Sequence, residues 1–477
     1  MRRPRATVPL ALVLGFVVSR LVLHGLGIRF DGSQFAKLWQ VIDPDLLRHD
    51  LARSLWYSHG QPPLFNLYLG LGLKLGGSEA GTVFQVVQLL VGAATTLSIF
   101  FAARALGVPA LVSGLAAFVF ALSPAAIAYE GFLFYPIFEA GLLCAAAPLL
   151  HAYLAHGRPR DGGACFGLLG AMVLLRSYFH VAWLLAILAL VLVLRRDAWR
   201  RTLAVAAVPA LLCVLWYAKN EWLYGSFAGS TWLGMNLSRI TLQTLPPPER
   251  KRLAREGIAT RLAQLDSFGP LERYRGIVDL PPPLGIPVLD RPRKSTGGSN
   301  FNHIAYVDLS RRYLRDEVAV VRAEPAVYAR GLVSALRRYL RPVTEDRRLA
   351  DDLAPLGRYR DLCEIGMCGR VGRTCLLVLL GLPLLLFHAA SVVVEELRRE
   401  NLDAPTVGLL VFIAFNIVYV TVLTNAMELG ENNRFRFTIE PLLVVLLALF
   451  VHRVAARLRG LAAGNGRRPA GDPLEVG

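Results

Sequence analysis

The residues best placed to do chemistry stand at the ends of long apolar runs. Asp31, in Arg29-Phe30-Asp31-Gly32-Ser33, follows the first run directly. A carboxylate where an apolar wall meets water can take a proton from a hydroxyl nucleophile. It can equally cap a helix over 32–41, and the local sequence leaves both readings open. Asp43-Pro44-Asp45, further along, reads as a cap with Pro at the first helical position. In Ser58-His59-Gly60-Gln61-Pro62-Pro63-Leu64, Pro-Pro sets a rigid helix entry, and His59 and Gln61 project at the membrane surface, toward a substrate or merely into the interface.

Tyr129-Glu130 is followed by Tyr135 and Glu139, and Glu139 falls far enough into an apolar run to need a partner or a polar cavity. Arg176-Ser177-Tyr178-Phe179-His180 reads as a tight turn. Lys219 lies in Tyr217-Ala218-Lys219-Asn220-Glu221-Trp222, and Glu428 to Arg436 carries Glu431, Arg434 and Arg436 before Glu440-Pro441. Interfacial Arg with Tyr and Trp is often an anchor, but anchoring cations concentrate on the cytoplasmic side. External Arg176, Lys219, Arg434 and Arg436 therefore point to an anionic headgroup, which a guanidinium can grip bidentately.

The elements that must position these groups are membrane helices. The chain has 477 residues, of which 54% are hydrophobic and 18% charged, with mean hydropathy +0.45. Soluble domains carry about 25% charged residues. Its net +17 falls in clusters between nearly uncharged runs, which excludes a soluble nucleic-acid binder, a disordered chain and a disulfide-dense scaffold. Only five of the basic residues are lysine, a usage that suggests a bacterial, GC-rich source. The pattern predicts an all-α polytopic membrane protein with spans near 7–28, 82–103, 108–128, 132–154, 164–178, 180–195, 201–217, 374–394, 406–424 and 437–453. The run 62–76 is too short to cross and reads as a re-entrant or interfacial helix. The first span is too long and too poorly terminated for a cleaved signal peptide. Basic residues recur at alternate connections (Arg104, Arg158, Arg195–Arg201, Arg398-Arg399 and 453–468), which places both termini in the cytoplasm.

This divides the chain into an N-terminal transmembrane catalytic module, 1–217, with its first external loop at 29–61, an extracytoplasmic insert, 218–372, C-terminal membrane helices, 373–455, and a cytoplasmic tail, 456–477. The insert holds 25 Lys/Arg against 17 Asp/Glu, a net of +8. Its Pro-rich stretches and Lys294-Ser295-Thr296-Gly297-Gly298-Ser299 read as loops. From 303 to 342 it turns helical, with Ile304, Val307, Leu314, Val318 and Val321 at helical spacing and Arg311 interrupting them. Cys144, Cys165, Cys213 and Cys375 read as buried small hydrophobes. Cys363 and Cys368, both in the insert, are either a disulfide or two free thiols.

Three of these features together resemble the GT-C superfamily of polytopic glycosyltransferases, in the branch of the dolichyl-phosphate-mannose protein mannosyltransferases and the lipid A aminoarabinose transferase. They are the acid after the first span (Asp31), the His-x-x-Pro-Pro-Leu entry from His59 to Leu64 (usually His-Pro-Pro-Leu), and Glu-x-x-Arg-x-Arg-x-x-x-Glu-Pro from Glu431 to Pro441. The order of spans fits over most of 1–217 and 374–453; the insert matches no general motif of the superfamily. The resemblance implies a polyprenyl-phosphate-linked sugar donor and a lipid, glycan or protein acceptor from outside, and the lysine-poor usage points to a bacterial plasma membrane. Asp31 is the base it implies. Arg434, Arg436, Lys219 and Arg176 would stabilise the departing phosphate, with His59, Gln61, Glu130 and Glu431 also lining the substrate site. No nucleotide fingerprint and no metal cluster is present in the sequence, although some relatives use a divalent ion at the first-loop acid. A lipid or solute transporter is the alternative; it would show polar residues deep in the spans and paired broken helices, and the sequence has no internal repeat. A membrane-bound acyltransferase and an inert scaffold for the insert are further rivals.

Overall fold

The computed structural model describes residues 7–33, 35–345 and 354–465. The tail beyond 465 and the basic residues before Thr7 lie outside the described residues. The protein is an all-α polytopic membrane protein whose only named strands, among the described residues, form one short hairpin. Its apolar helices are α1 (Thr7–Gly25), α2 (Leu64–Gly76), α3 (Ala80–Ala105), α4 (Ala110–Leu122), α5 (Pro124–Gly131), α6 (Pro136–His156), α7 (Pro159–Leu175), α8 (Val181–Leu194) and α9 (Trp199–Tyr224). The insert contributes α10 (Leu233–Ile240), α11 (Ala305–Ala323), α12 (Pro325–Tyr339) and α13 (Gly357–Cys368). The hairpin β1 (Arg370–Val371) and β2 (Thr374–Cys375) leads into α14 (Leu376–Leu397), α15 (Ala404–Met427), the short α16 (Asn432–Phe437) and α17 (Glu440–Asn465).

Apolar helices occupy every expected span, but not all at full length. Seven stretches are long and apolar enough to cross, or eight if the pair α4–α5 counts as one. That pair bends by 54° because Ser123-Pro124 interrupts it: the Ser123 hydroxyl accepts from Ala126 N–H and Pro124 opens α5. α7 and α8, with 17 and 14 residues, fall short of a full crossing. The lipid-facing side of α1 shows directly in its exposed Leu10, Leu14 and Leu21, with only Leu12 and Phe16 buried. In hydrocarbon such exposure costs nothing.

Apolar sequence continues from Leu64 to Ala105, yet α2 does not extend α3. Sixteen helical residues would separate Tyr68 from Phe84 by about 24 Å. Instead the Tyr68 hydroxyl reaches Phe84 O at 3.4 Å and their rings lie 5.3 Å apart. Gly77, at φ +52°, reverses the chain between them, so α2 folds back on the start of α3. Its 13 residues reach about 20 Å, short of a bilayer core.

The insert builds its own small core from Trp232, Met235, Leu262, Tyr274, Phe301, Tyr306, Leu309 and Tyr313. The sequence anticipated a different stripe. On α11 the buried series is Ala305, Tyr306, Val307, Leu309, Ser310, Tyr313, Asp316, Glu317 and Val320; of the expected stripe Val307 is buried and Val318 is exposed. The tyrosines can turn inward because their hydroxyls find carbonyls: Tyr306 donates to Gly269 O at 2.8 Å and Tyr313 to Leu262 O at 3.2 Å. Glu324-Pro325 breaks the expected continuous helix into α11 and α12. Asp43 caps Pro44–His49 as its sequence suggests, accepting from Asp45 N–H, and it also accepts from Ser295 N–H at 2.9 Å. Lys294 donates to Leu38 O at 2.7 Å. The 294–299 turn thus fastens the insert onto the loop between α1 and α2.

A Cys363–Cys368 disulfide does not fit the fold. Both lie on α13, five residues apart, so they are separated by about 7.5 Å of rise and by some 140° around the axis. The cysteine beside Cys368 is Cys375.

Candidate functional site

The segment 131–135, where α5 ends and α6 begins, organises the site. Asp31 N–H donates to Gly131 O at 2.8 Å, forming a parallel bridge between Asp31 and Phe132. The Asp31 carboxylate is partly exposed and accepts from Ser33 N–H at 2.7 Å. That is a two-residue Asx turn followed by a 3-10 turn at Phe35–Lys37, in place of the expected cap of a longer helix. Two residues on, the Arg434 guanidinium lies 4.6 Å from the Phe134 ring, and the Arg176 guanidinium lies 4.8 Å from the Tyr135 ring. One turn into α6, Glu139 pairs with Arg176 Nε at 3.4 Å and accepts from Tyr178 at 2.7 Å and Thr438 at 2.8 Å. The expected need of Glu139 for a partner is thereby met, and three separate chain segments, at Asp31, 176–178 and 434–438, meet on residues 131–139.

A chamber of ≈ 60 Å³ opens beside this cluster, lined by Gln61, Arg176, Tyr178, Trp232, Arg239 and Glu428 among others. Gln61 is buried and accepts from Ser177 Oγ at 3.2 Å. The insert supplies Trp232 and Arg239 to the wall. Arg239 pairs with Glu428 at 2.7 Å, and its guanidinium lies 5.5 Å from the Trp39 ring.

Arg434 and Arg436 do not share one space. Two residues apart on a helix, they point to nearly opposite sides. Arg434 turns to Phe134 and to Glu431, whose carboxylate is 2.5 Å from Nη1. Arg436, wholly buried, meets Glu440 through Nε at 3.1 Å and donates through Nη1 to Tyr339 O. Its Nη2 has no hydrogen-bond partner. Arg436 and Glu440 line a second cavity, ≈ 370 Å³ and mostly apolar, which runs along Leu377, Leu384, Leu443 and Phe450. Ser123, Pro124 and Ala125, at the start of α5, line the same cavity.

Three expected site residues are committed elsewhere. His59 is not at the surface: it is fully buried, with Nδ1 2.7 Å from Thr231 Oγ1 and Nε2 2.9 Å from Asn302 O. Burial pushes its imidazole down to about 3, so the ring is neutral. It ties the first loop to the insert, and the neighbouring Gly60 lies so close to the Trp232 indole that a Cβ there would stand 2.4 Å from it. Lys219 spends its ammonium on Trp56 O at 3.1 Å and Ser58 O at 2.8 Å. Glu130 is gripped at both oxygens by Arg20, at 2.7 and 2.6 Å. Arg20 itself escaped the sequence reading, although it is the one charge within the first apolar run and so carried a visible signal. Arg239 had no comparable signal.

Among the described residues no group of three or more His, Cys, Asp or Glu stands together.

No protein-family model matches the chain, and no curated protein matches it. Among solved structures, it is similar to the oligosaccharyltransferase of Archaeoglobus fulgidus in complex with zinc and sulfate, with TM-score 0.37 and 13% identity over 96% of this chain and 51% of that one. The apo form of the same enzyme gives 0.35 and 12%, over 98% and 52%. ArnT from Cupriavidus metallidurans, bound to undecaprenyl phosphate, gives 0.34 and 16%, over 91% and 77%. The chain spans about half the length of the oligosaccharyltransferase chains it matches.

Proposed function

We propose that this protein is an inverting glycosyltransferase that moves a sugar from a polyprenyl-phosphate donor to an acceptor at the extracytoplasmic membrane face. The observation that carries this reading is the amphipathic cavity headed by Arg436. Its wall is apolar, as a prenyl chain requires, and Arg436, one of its lining residues, keeps a buried guanidinium nitrogen with no hydrogen-bond partner. The superfamily-like motifs at Asp31 and Glu431–Pro441 add to it. α5 acts as a ruler between the two halves of the chemistry. The cavity touches Ala125 and Asp31 is bonded to Gly131, so about 9 Å of helix axis separates them. A phosphorylated sugar can bridge that gap.

The steps follow from these positions. The donor's prenyl chain lies along α14 and α17, and its phosphate meets Arg436. Asp31 takes the acceptor proton as the acceptor attacks the anomeric carbon from the side away from phosphate, and the configuration inverts. The polyprenyl phosphate leaves as an anion held by Arg436, while Arg176 orients groups in the smaller chamber. The insert lies outside the membrane, both termini face the cytoplasm, and the membrane is a bacterial plasma membrane. The proposed domain division falls at 217 within α9, at 372 between β1 and β2, and at 455 within α17.

Purified protein tests the reading with a panel of polyprenyl-phospho-sugars. At least one should raise the melting temperature and be consumed with release of polyprenyl phosphate. If none protects the protein and none is consumed, the assignment fails.

A further inference from the structure

Cys368 ends α13 and Cys375 closes the hairpin that follows it. β1 and β2 pair in the register Arg370↔Cys375 and Val371↔Thr374. Beyond that register, Leu376 N–H donates to Gly369 O at 3.3 Å, so the residue after Cys368 meets the residue after Cys375. Gly369, at φ +57°, turns the chain off α13 directly after Cys368. The Cys368 and Cys375 thiols interact with each other. Cys363 lies on another side of α13, against Tyr359.

We propose that Cys368 and Cys375 are the site of a structural disulfide that fastens the end of the insert to the root of α14, beside Arg436. Cys368 is partly exposed and lines the apolar cavity, whereas Cys375 is buried. Exchange with a disulfide of the thiol-oxidoreductase class forms the bond. The Cys368 thiolate attacks one sulfur of that oxidant and releases its partner sulfur as a thiol. The Cys375 thiolate then attacks the mixed disulfide at Cys368 and releases the second thiol. The protein loses two hydrogens and the oxidant becomes a dithiol.

The bridge would act on the cavity mouth. Cys375 N–H donates to Leu340 O at 2.8 Å, one residue from the Tyr339 carbonyl that Arg436 Nη1 meets. Glu364 on α13 pairs with Arg370 on β1 at 2.5 Å. A covalent link between Cys368 and Cys375 fixes α13, the hairpin and the 339–340 segment as one unit around the guanidinium.

The test is a cysteine map of the full chain in membranes of the producing cell, quenched with an alkylating agent before any reductant. Trypsin cuts after Arg370 and Arg373, so the two cysteines fall on different peptides. The expected result is a disulfide-linked pair of those peptides that disappears on reduction. The link should persist in Cys363→Ser and be absent from Cys375→Ser. Alkylation of both Cys368 and Cys375 without reductant would overturn the proposal. So would a bond between Cys363 and Cys368, which stays within one tryptic peptide. Should Cys375→Ser fail to accumulate, the wild-type and Cys363→Ser maps decide alone.

Discussion

Two buried arginine–glutamate pairs stand at opposite ends of α5, and they differ in how completely they are used. In Arg20–Glu130, Nε and Nη2 grip both carboxylate oxygens, Nη2 also meets Ala121 O at 2.9 Å, and Nη1 meets Ser19 Oγ at 2.9 Å. The pair is closed. In Arg436–Glu440, Nε and Nη1 are engaged and Nη2 is not, and both residues line an apolar cavity. The charges are alike in both, while side-chain exposure is 10% and 5% in Arg20 and Glu130 against 0% and 21% in Arg436 and Glu440. The contrast teaches that the ionisable group to suspect of binding a ligand is the one with a donor left over.

The largest effect should come from opening the closed pair. Arg20→Ala leaves Glu130 buried and unpaired, at a cost of about 3–5 kcal/mol. The melting temperature should fall sharply, and the double change Arg20→Met with Glu130→Leu should recover most of it. Wild-type melting in the single variant would break the comparison. Arg436→Lys keeps the charge but loses the planar fork, so transfer should fall ~100-fold, about 2.7 kcal/mol in the barrier, with melting little changed. Equal transfer by this variant and the wild type would put the phosphate elsewhere.

His59 belongs with the closed groups. Its folded pKa of about 3 lies below the ordinary 6.5, so the unfolded chain binds the proton first. Its contribution is complete above the ordinary value and drains as pH falls from there toward 3. Between pH 7 and 5 the loss should be about 2 kcal/mol, visible as a falling melting temperature that His59→Gln no longer shows. The smallest effect concerns neighbours on α11 that repeat the contrast. Asp316 accepts twice from Thr260, at 3.1 and 2.7 Å. Glu317 is buried and pushed up to about 8 by that burial. Its folded pKa is raised, so stability drains as pH rises from the ordinary carboxyl value to about 8. Glu317→Gln should raise stability at pH 8 by about 1–2 kcal/mol, measured by melting, and should change little at pH 4.

Membrane helices were legible because hydrocarbon imposes one rule on every span, apolar over some twenty residues. Where chain reversal mattered more than hydropathy, that rule said less. Gly77 separates α2 from α3 and Pro124 bends α5 away from α4, and both residues are visible once a turn is suspected. The insert was harder to read. Its inward stripe on α11 is tyrosine and glutamate, whose burial depends on carbonyls contributed by distant loops. The candidate site divided the same way. The residue types around Arg176, Glu139 and Arg434 were apparent, since charge beside an apolar run is conspicuous. The partners were not. His59, Lys219 and Glu130 look like ligand-binding groups in one dimension, and their bonds to Thr231, Trp56 and Arg20 cross up to 172 residues of chain.

The most direct measurement is sugar transfer by Asp31→Asn beside the wild type, with the same polyprenyl-phospho-sugar. The amide oxygen can still accept from Ser33 N–H, so the loop should keep its shape while losing its base. Transfer should fall ~10²–10⁴-fold with donor-induced stabilisation retained. Undiminished transfer by the variant would contradict Asp31 as the base and with it the proposed mechanism.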